Sequence, residues 1–389
     1  MRVLIALTLT AALAPAPAPA TATAMAPATA PAPAAAPATP YQAAVDAVVR
    51  AGAPAAVLAV RQDGRLRETA SGVADLRTGR LAGAADRYRV ASITKTFTAV
   101  TVLRLVAEGR LALSDPIGRW LPQVPHADAI TVRDLLRHTS GLPDFYDALG
   151  LRSSADWQRH RLDRLTDERR LALARTLPAG PPGAAAAAYA NTNYVVLGLL
   201  AERLTGEPYE RLLQRGLIGP LHLTGTAYPD GRPAISGPHL HGYMPGDLPG
   251  RPDADFAHLV DFTAQTVNQS GPAGSVTSTV ADLTALYRAL FTGRLLPAAL
   301  MRELTTTVPV AGEQFPWLRG FGLGVHRYDL GCGPLYGHIG GVRGYTGLVV
   351  STLDGRRQAA IAVTLNPNPP AVMTAALAAV TRAVCGPPD

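Results

Sequence analysis

The stretch Val90-Ala91-Ser92-Ile93-Thr94-Lys95-Thr96-Phe97 decides how this chain is read. Lys95 is the only lysine in 389 residues, so the other 35 of the 36 basic residues are arginine. A guanidinium keeps its proton in a protein, whereas an ammonium can lose it once buried. The residues after Lys95 predict a helix over 94–108, and positions i and i+3 share a helix face, which sets the Lys95 amine beside the Ser92 hydroxyl. With eleven serines in the whole chain, chance seldom puts one at that spacing. An amine next to a hydroxyl is one way to activate a nucleophile. To serve as the base, the amine must be lowered from about 10.4 to near neutrality, which burial under a helix supplies. A serine at a helix start also gathers backbone N–H groups, the beginning of an oxyanion hole. The plainer reading, a helix cap followed by a surface lysine, leaves the near-exclusive use of arginine elsewhere unexplained.

Around this stretch lies a chain with ample apolar content for a large core: 48% hydrophobic against 17% charged residues. The formal charge is +7, but arginines alternate with acids, as in Leu162-Asp163-Arg164 and Asp167-Glu168-Arg169-Arg170. No basic stripe with interleaved aromatics results, which speaks against nucleic-acid binding. Residues 1–24 read as a secretory signal, with Arg2, an apolar run from Val3 to Ala14, and Ala22-Thr23-Ala24 as the cleavage site, so the mature protein is expected to be secreted. Residues 25–40 are, after Met25, only Ala, Pro and Thr with little to bury, and read as a linker. No other apolar run reaches the length of a membrane span, so no stable membrane anchor is expected. The two cysteines, Cys332 and Cys385, pair naturally as one disulfide in an exported chain.

Strand-like segments occur at both ends. Residues 55–60 and 66–73 flank the turn Gln62-Asp63-Gly64-Arg65, while 321–328, 335–338, 345–352 and 358–365 form a late set with the turn Asp354-Gly355-Arg356. Helical periodicity marks 41–50, 131–137, 167–175, 194–204, 279–290 and 371–384, whereas 177–183 and the Pro/Gly-rich 229–255 read as loops. The fold class is therefore α+β or α/β: an antiparallel sheet formed from both termini and flanked by helices, with an inserted, mostly helical domain. The expected division is one catalytic domain over 41–389, with 41–115 and 275–389 as the sheet subdomain and 116–274 as the helical one.

The Gly-x-Ser-x-Gly and His-Glu-x-x-His signatures are absent, and His239-Leu240-His241 lies in a Pro/Gly loop without a third ligand. No metal and no cofactor are expected. Three further motifs stand in order after Ser92-Ile93-Thr94-Lys95: Leu135-Leu136-Arg137-His138-Thr139-Ser140-Gly141-Leu142, Tyr189-Ala190-Asn191, and His338-Ile339-Gly340. Together they resemble the serine penicillin-binding proteins and class C-like β-lactamases, and most of all the secreted D-alanyl-D-alanine carboxypeptidases of that family. The resemblance spans about 41–385 and implies a β-lactamase/transpeptidase-like fold.

The resemblance also implies roles. Ser92 would attack a carbonyl to form an acyl-enzyme, Lys95 would take its proton, and Tyr189 would shuttle protons. Asn191 would bind the substrate amide, the N–H groups of Ser92 and Gly341 would form the oxyanion hole, and His338 would border the leaving group. Gly340 and Gly341 would let the backbone approach the ligand. His138 to Gly141 reads as a structural helix end. A threonine commonly sits between the His and Gly of the third motif, but here the residue is Ile339, so Arg327 or Arg343 becomes the candidate contact for a substrate carboxylate. The expected function is a serine-type DD-peptidase, a D-alanyl-D-alanine carboxypeptidase acting on peptidoglycan stem peptides and acylated by penicillin. β-Lactams are its expected inhibitors, and a monomer is expected. Alternatives are an esterase, a D-amino-acid-specific peptidase or a weak β-lactamase. From another class comes a non-catalytic basic cell-wall binder, which leaves the solitary lysine without a role.

Overall fold

The computed structural model describes residues 40–229, 231–247, 254–266, 270–312 and 315–386. The expected signal peptide and all of the linker before Pro40 lie outside the described residues. The chain enters through helix α1 (Gln42–Arg50), then strands β1 (Ala55–Gln62) and β2 (Arg65–Asp75), with the edge strand β3 (Arg80–Leu81). Asp63 and Gly64 both hold positive φ at the β1–β2 turn. A short strand β4 (Tyr88–Arg89) leads into helix α2 (Thr94–Ala107).

The inserted region carries α3 (Val132–Leu136), α4 (Ser154–His160), α5 (Asp167–Ala174), α6 (Thr192–Thr205) and α7 (Tyr209–Leu213). A two-stranded ribbon of β5 (Tyr243–Asp247) and β6 (Ala254–Asp261) follows, then β7 (Thr277–Ser278), paired with β4. After α8 (Val280–Phe291) and α9 (Ala298–Thr305), the chain lays down β8 (Leu318–Phe321), β9 (His326–Asp329), β10 (Pro334–Val342), β11 (Tyr345–Thr352) and β12 (Arg357–Val363), and ends in α10 (Pro370–Cys385).

Eight strands form one sheet in the order β3-β2-β1-β12-β11-β10-β9-β8, antiparallel throughout. β1 pairs with β12 from Ala56 opposite Val363 to Gln62 opposite Arg357, so the two ends of the chain share the middle of the sheet. The side-chain period of two then divides the core. Val57, Ala59, Val349, Ala360 and Ala362 face a core shared with α2, α6 and α8, while Leu58, Val60, Val350 and Ile361 face α1 and α10. Both faces are covered, which is why these strands read as continuous apolar runs.

The structure departs from the sequence reading at several places. The segment 321–328 is two strands, not one: Gly322 has no room for a Cβ against the Leu304 carbonyl, and Gly324 holds φ +83, so the chain reverses between β8 and β9. Residues 243–247 and 254–261 form the β5–β6 ribbon, which begins inside the expected loop, anchored by Met244 and Phe262 against Trp157. The helices α4, α7 and α9 were not expected. Helix α2 is buried from Thr94 to Leu103 and is a core helix with no exposed polar face there. Cys332 and Cys385 form a disulfide that ties the β9–β10 turn to the end of α10.

Candidate active site

Ser92 lies in a 3-10 turn, Ala91–Ile93, at the entry to α2. That turn is held from two sides. Val90 donates to the Val276 carbonyl (3.1 Å), and Val276 donates back to Thr94 Oγ1 (3.1 Å). On the other side β10 presses against it, with a Cβ at Gly340 coming within 2.2 Å of the Val90 carbonyl oxygen. Gly340 is therefore required by the protein's own backbone rather than by a ligand, as the sequence had implied. Ala91, just before the serine, holds φ +50, a left-handed conformation that costs an alanine roughly 1 kcal/mol and is held by this packing.

Lys95 is fully buried beneath Ser92. Its Nζ stands 3.1 Å from Ser92 Oγ, 2.7 Å from Asn191 Oδ1 and 2.8 Å from the Ala273 carbonyl. The last two oxygens only accept, so they hold two amine hydrogens and leave the third position for Ser92. Burial lowers the Lys95 pKa to about 7, against an opposing pull from Asp144. The amine can therefore be unprotonated at neutral pH and accept the Ser92 proton along an existing hydrogen bond.

Tyr189 OH donates to Ser92 Oγ at 2.8 Å across 97 residues of sequence. Burial pushes its pKa well above the ordinary phenol range. The phenol is thus a neutral O–H relay, and the basic member of the group is Lys95. The Tyr189 ring stacks on His138 (centroids 4.5 Å, 25° between planes), and Lys95 Nζ lies 4.9 Å from its centroid. His138 Nδ1 takes the Ala190 N–H (3.2 Å) and lies 3.1 Å from Asn193 Nδ2, which fixes the backbone beside the tyrosine. His138, read as part of a helix end, also forms the floor of the site.

Two residues with no mark in the sequence complete the arrangement. Asp144 Oδ2 accepts from both Asn191 Nδ2 (2.8 Å) and Asn191 N (3.2 Å), which turns Asn191 Oδ1 toward Lys95. His326 lies against His338, with ring centroids 4.0 Å apart. His338 is buried, with Nδ1 2.5 Å from the Ile339 carbonyl, and burial lowers its pKa to about 3. It stays neutral, a polar wall without charge.

A cleft runs across Ser92 and Gly341. One side, about 280 Å³, is lined by Tyr189, Phe315, Leu318, Phe321, His338 and Ile339. The other, about 300 Å³, is lined by Tyr146, Trp157, Asn191, Ser270, Arg343 and Asn366. Ser92, Lys95, Tyr189 and Asn191 are therefore brought together, with Gly341 and His338 beside them on β10. Arg327 is not among them: strand alternation turns His326 into the cleft and Arg327 out to solvent. Arg343 borders the cleft, but on the side away from His338. His241 is held by Asp261 (2.8 Å), and among the described residues no group of three or more His, Cys, Asp or Glu is arranged to hold a metal.

The chain matches the family model described as Beta-lactamase over residues 14–384. Among curated proteins it is 32% identical over 309 residues to penicillin-binding protein 4 of Amycolatopsis lactamdurans, covering 74% of each chain. It is 26% identical over 283 residues to penicillin-binding protein 4* of Bacillus subtilis, covering 69% of this chain and 59% of that protein's length. Among solved structures, a D-stereospecific amidohydrolase from Streptomyces sp. superposes with a TM-score of 0.76 at 34% identity, over 86% of this chain and 97% of that one. The D-amino acid amidase of Ochrobactrum anthropi SV3, complexed with D-phenylalanine, gives 0.76 at 25% identity, over 88% and 98%. The penicillin-binding protein homologue of Pyrococcus abyssi, at 26% identity, a TM-score of 0.71 and coverage of 87% and 74%, is octameric, so the expectation of a monomer draws no support from these relatives.

Proposed function

The chain belongs to the beta-lactamase family, and from that premise we propose that it is a serine acyl-hydrolase that cleaves the amide bond following a D-configured residue. One observation carries the reading: a single serine oxygen stands at hydrogen-bond distance from both a buried amine and a neutral phenol, at the centre of an open cleft. Ser92 Oγ attacks the scissile carbonyl as its proton passes to Lys95, and the N–H groups of Ser92 and Gly341 hold the oxyanion. Collapse breaks the C–N bond, and the proton returns through Tyr189 to the departing nitrogen. Water then retraces the route, giving its proton to the same base and releasing the acid.

Amide hydrolysis is favoured over trimming of a terminal D-alanine by the leaving-group side, the side that Tyr189 shares. Phe315, Leu318, Phe321 and Ile339 line it, and no cation among the described residues meets a departing carboxylate there. The D configuration comes from the resemblance to the amidohydrolase and the amidase. The second reading, a D-alanyl-D-alanine carboxypeptidase, is favoured by the penicillin-binding relatives. Export, proposed from the signal-like residues 1–24, would suit either reading, and the Cys332–Cys385 disulfide suits an oxidising compartment.

The test compares p-nitroanilides of acetyl-D-phenylalanine and acetyl-L-phenylalanine, with diacetyl-Lys-D-Ala-D-Ala alongside. The D-anilide is expected to be hydrolysed at least about a hundredfold faster than the L-anilide, with no turnover by Ser92→Ala. Release of D-alanine outpacing the D-anilide would move the assignment to the carboxypeptidase. Equal turnover of both enantiomers would remove the stereochemical claim.

A further inference from the structure

We propose that the acyl side of the cleft selects substrates whose acyl part carries a carboxylate, and that Arg343 binds it. This rests on the acyl-hydrolase reading above and names its substrate class. The starting observation is a cation with no anionic partner among the described residues. Arg343 lies just past the end of β10, and its carbonyl accepts from Gln265 Nε2 at 2.9 Å, Gln265 being fully buried, so the main chain there is fixed. The half-buried guanidinium lies 4.8 Å from the Trp157 ring centroid, and Trp157 is packed against Met244 and Phe262. Among the described residues no carboxylate pairs with this guanidinium and no carbonyl accepts from it.

Other arginines withdrawn from water are compensated. Arg170 is bonded to Asp167, and Arg89 donates to the Thr263 and Pro233 carbonyls. Burial lowers the Arg343 pKa, but a guanidinium keeps its charge in a protein, so until an anion arrives its lost hydration is offset only by the Trp157 ring. The rest of this wall is neutral: Tyr146 and Ser270 share a hydrogen bond (2.7 Å), and Asn366 donates to Thr346 Oγ1 (2.9 Å). Among the described residues no Asp or Glu lines this side. Asp144, which borders Asn191, is occupied with Asn191 and the Tyr146 N–H.

Which end of the substrate meets Arg343 follows from the proton path. The departing nitrogen must sit within reach of Tyr189, which lines the other side with His338 and Ile339. Arg343 therefore faces the acyl part. A planar guanidinium fork matches a carboxylate bidentately and repels an ammonium. The acyl part is thus an acid-bearing acyl-D-residue, with the carboxylate either on the N-terminal cap or on the D-residue side chain, and free α-amino substrates are disfavoured.

The test uses four p-nitroanilides: succinyl-D-phenylalanine, acetyl-D-glutamate, acetyl-D-phenylalanine and unblocked D-phenylalanine. At least one acid-bearing anilide is expected to exceed acetyl-D-phenylalanine in kcat/KM by about tenfold or more, and the unblocked one to be the poorest. The two acidic arms distinguish cap from side chain. Arg343→Met should abolish the preference, and Arg343→Lys, which keeps the charge without the fork, should retain part of it. A binding readout separates this proposal from the parent reading: in Ser92→Ala, calorimetry should find an acid-bearing amide, succinyl- or acetyl-D-glutamyl, bound about tenfold more tightly than acetyl-D-phenylalanine amide, whether or not any anilide is turned over. Equal binding of the three amides, a preference that survives Arg343→Met, or faster turnover of the unblocked anilide would each overturn it. Absence of all turnover with the binding preference intact would retire the hydrolase reading and keep the carboxylate site.

Discussion

The two sides of the cleft are built from one strand, yet they offer opposite chemistry. Near His338 and Ile339 the strand contributes to a wall of rings and aliphatic carbon, whereas beyond Gly341 it delivers a lone guanidinium among amides and hydroxyls. The difference teaches that, on the reading proposed above, substrate choice would depend on which side of Ser92 a charge stands. The proton machinery under Ser92 is common to both sides and says nothing about which substrate is taken.

The largest expected effect tests that common machinery. Lys95→Arg keeps a cation but removes the group that can lose its proton, so kcat should fall roughly 10³–10⁴-fold for every substrate, whatever its acyl or leaving group. A loss confined to one substrate class would show the two sides to be coupled. Next comes pH. Lys95 must be unprotonated to act, so kcat/KM should rise with pH to a plateau with its midpoint near the Lys95 pKa of about 7. At pH 5 the rate should be about a hundredfold below the plateau, read from an anilide assay over pH 5 to 9.

A swap sharpens the contrast between the sides. Phe315→Arg combined with Ile339→Thr places a cation and a hydroxyl where a leaving carboxylate would lie. The kcat/KM for diacetyl-Lys-D-Ala-D-Ala relative to acetyl-D-phenylalanine p-nitroanilide should rise about tenfold, and an unmoved ratio would mean that the leaving side does not decide specificity. Smallest is Asp144→Asn. That carboxylate raises the Lys95 pKa, so its removal should move the pH midpoint to the acid side by less than about one pH unit.

Stability offers a separate check on the leaving side. The disulfide closes a loop with a sequence separation of 53, and opening it with Cys332→Ser and Cys385→Ser should cost about 4 kcal/mol in denaturant unfolding by the chain-entropy relation. Because the bond anchors the turn between β9 and β10, the variant's KM should worsen with the size of the leaving group more than with the acyl part.

What could be read from the sequence followed from short-range geometry. Ser92 and Lys95 are three residues apart, and no fold that keeps the helix can separate them. The sheet was legible because residues 55–73 and 345–365, near the two ends of the chain, read as strands around short turns, and β1 pairs with β12 accordingly. Tyr189 and Asn191 came through resemblance, since nothing local ties them to a serine about a hundred residues earlier. Asp144 and the Ala273 carbonyl escaped detection for physical reasons: one is an aspartate after a proline with no spacing to mark it, and the other is a backbone atom that every residue has. The β5–β6 ribbon was hidden because Pro245 and Gly246 argue for a loop, whereas Met244 is held in place by tertiary packing against Trp157. Arg343 was picked out by type, but the side of the cleft it borders is set by the tertiary fold and could not be read from spacing.

The fully buried, solitary Lys95 also makes the molecule an unfolding reporter. A protease that cuts only after lysine has one site, inside a core helix, and can reach it only when that helix opens. Both cysteines lie on the C-terminal side of the cut. The two pieces would then come apart without reductant, and the rate at which a second band appears on a gel would measure the opening of the catalytic core directly.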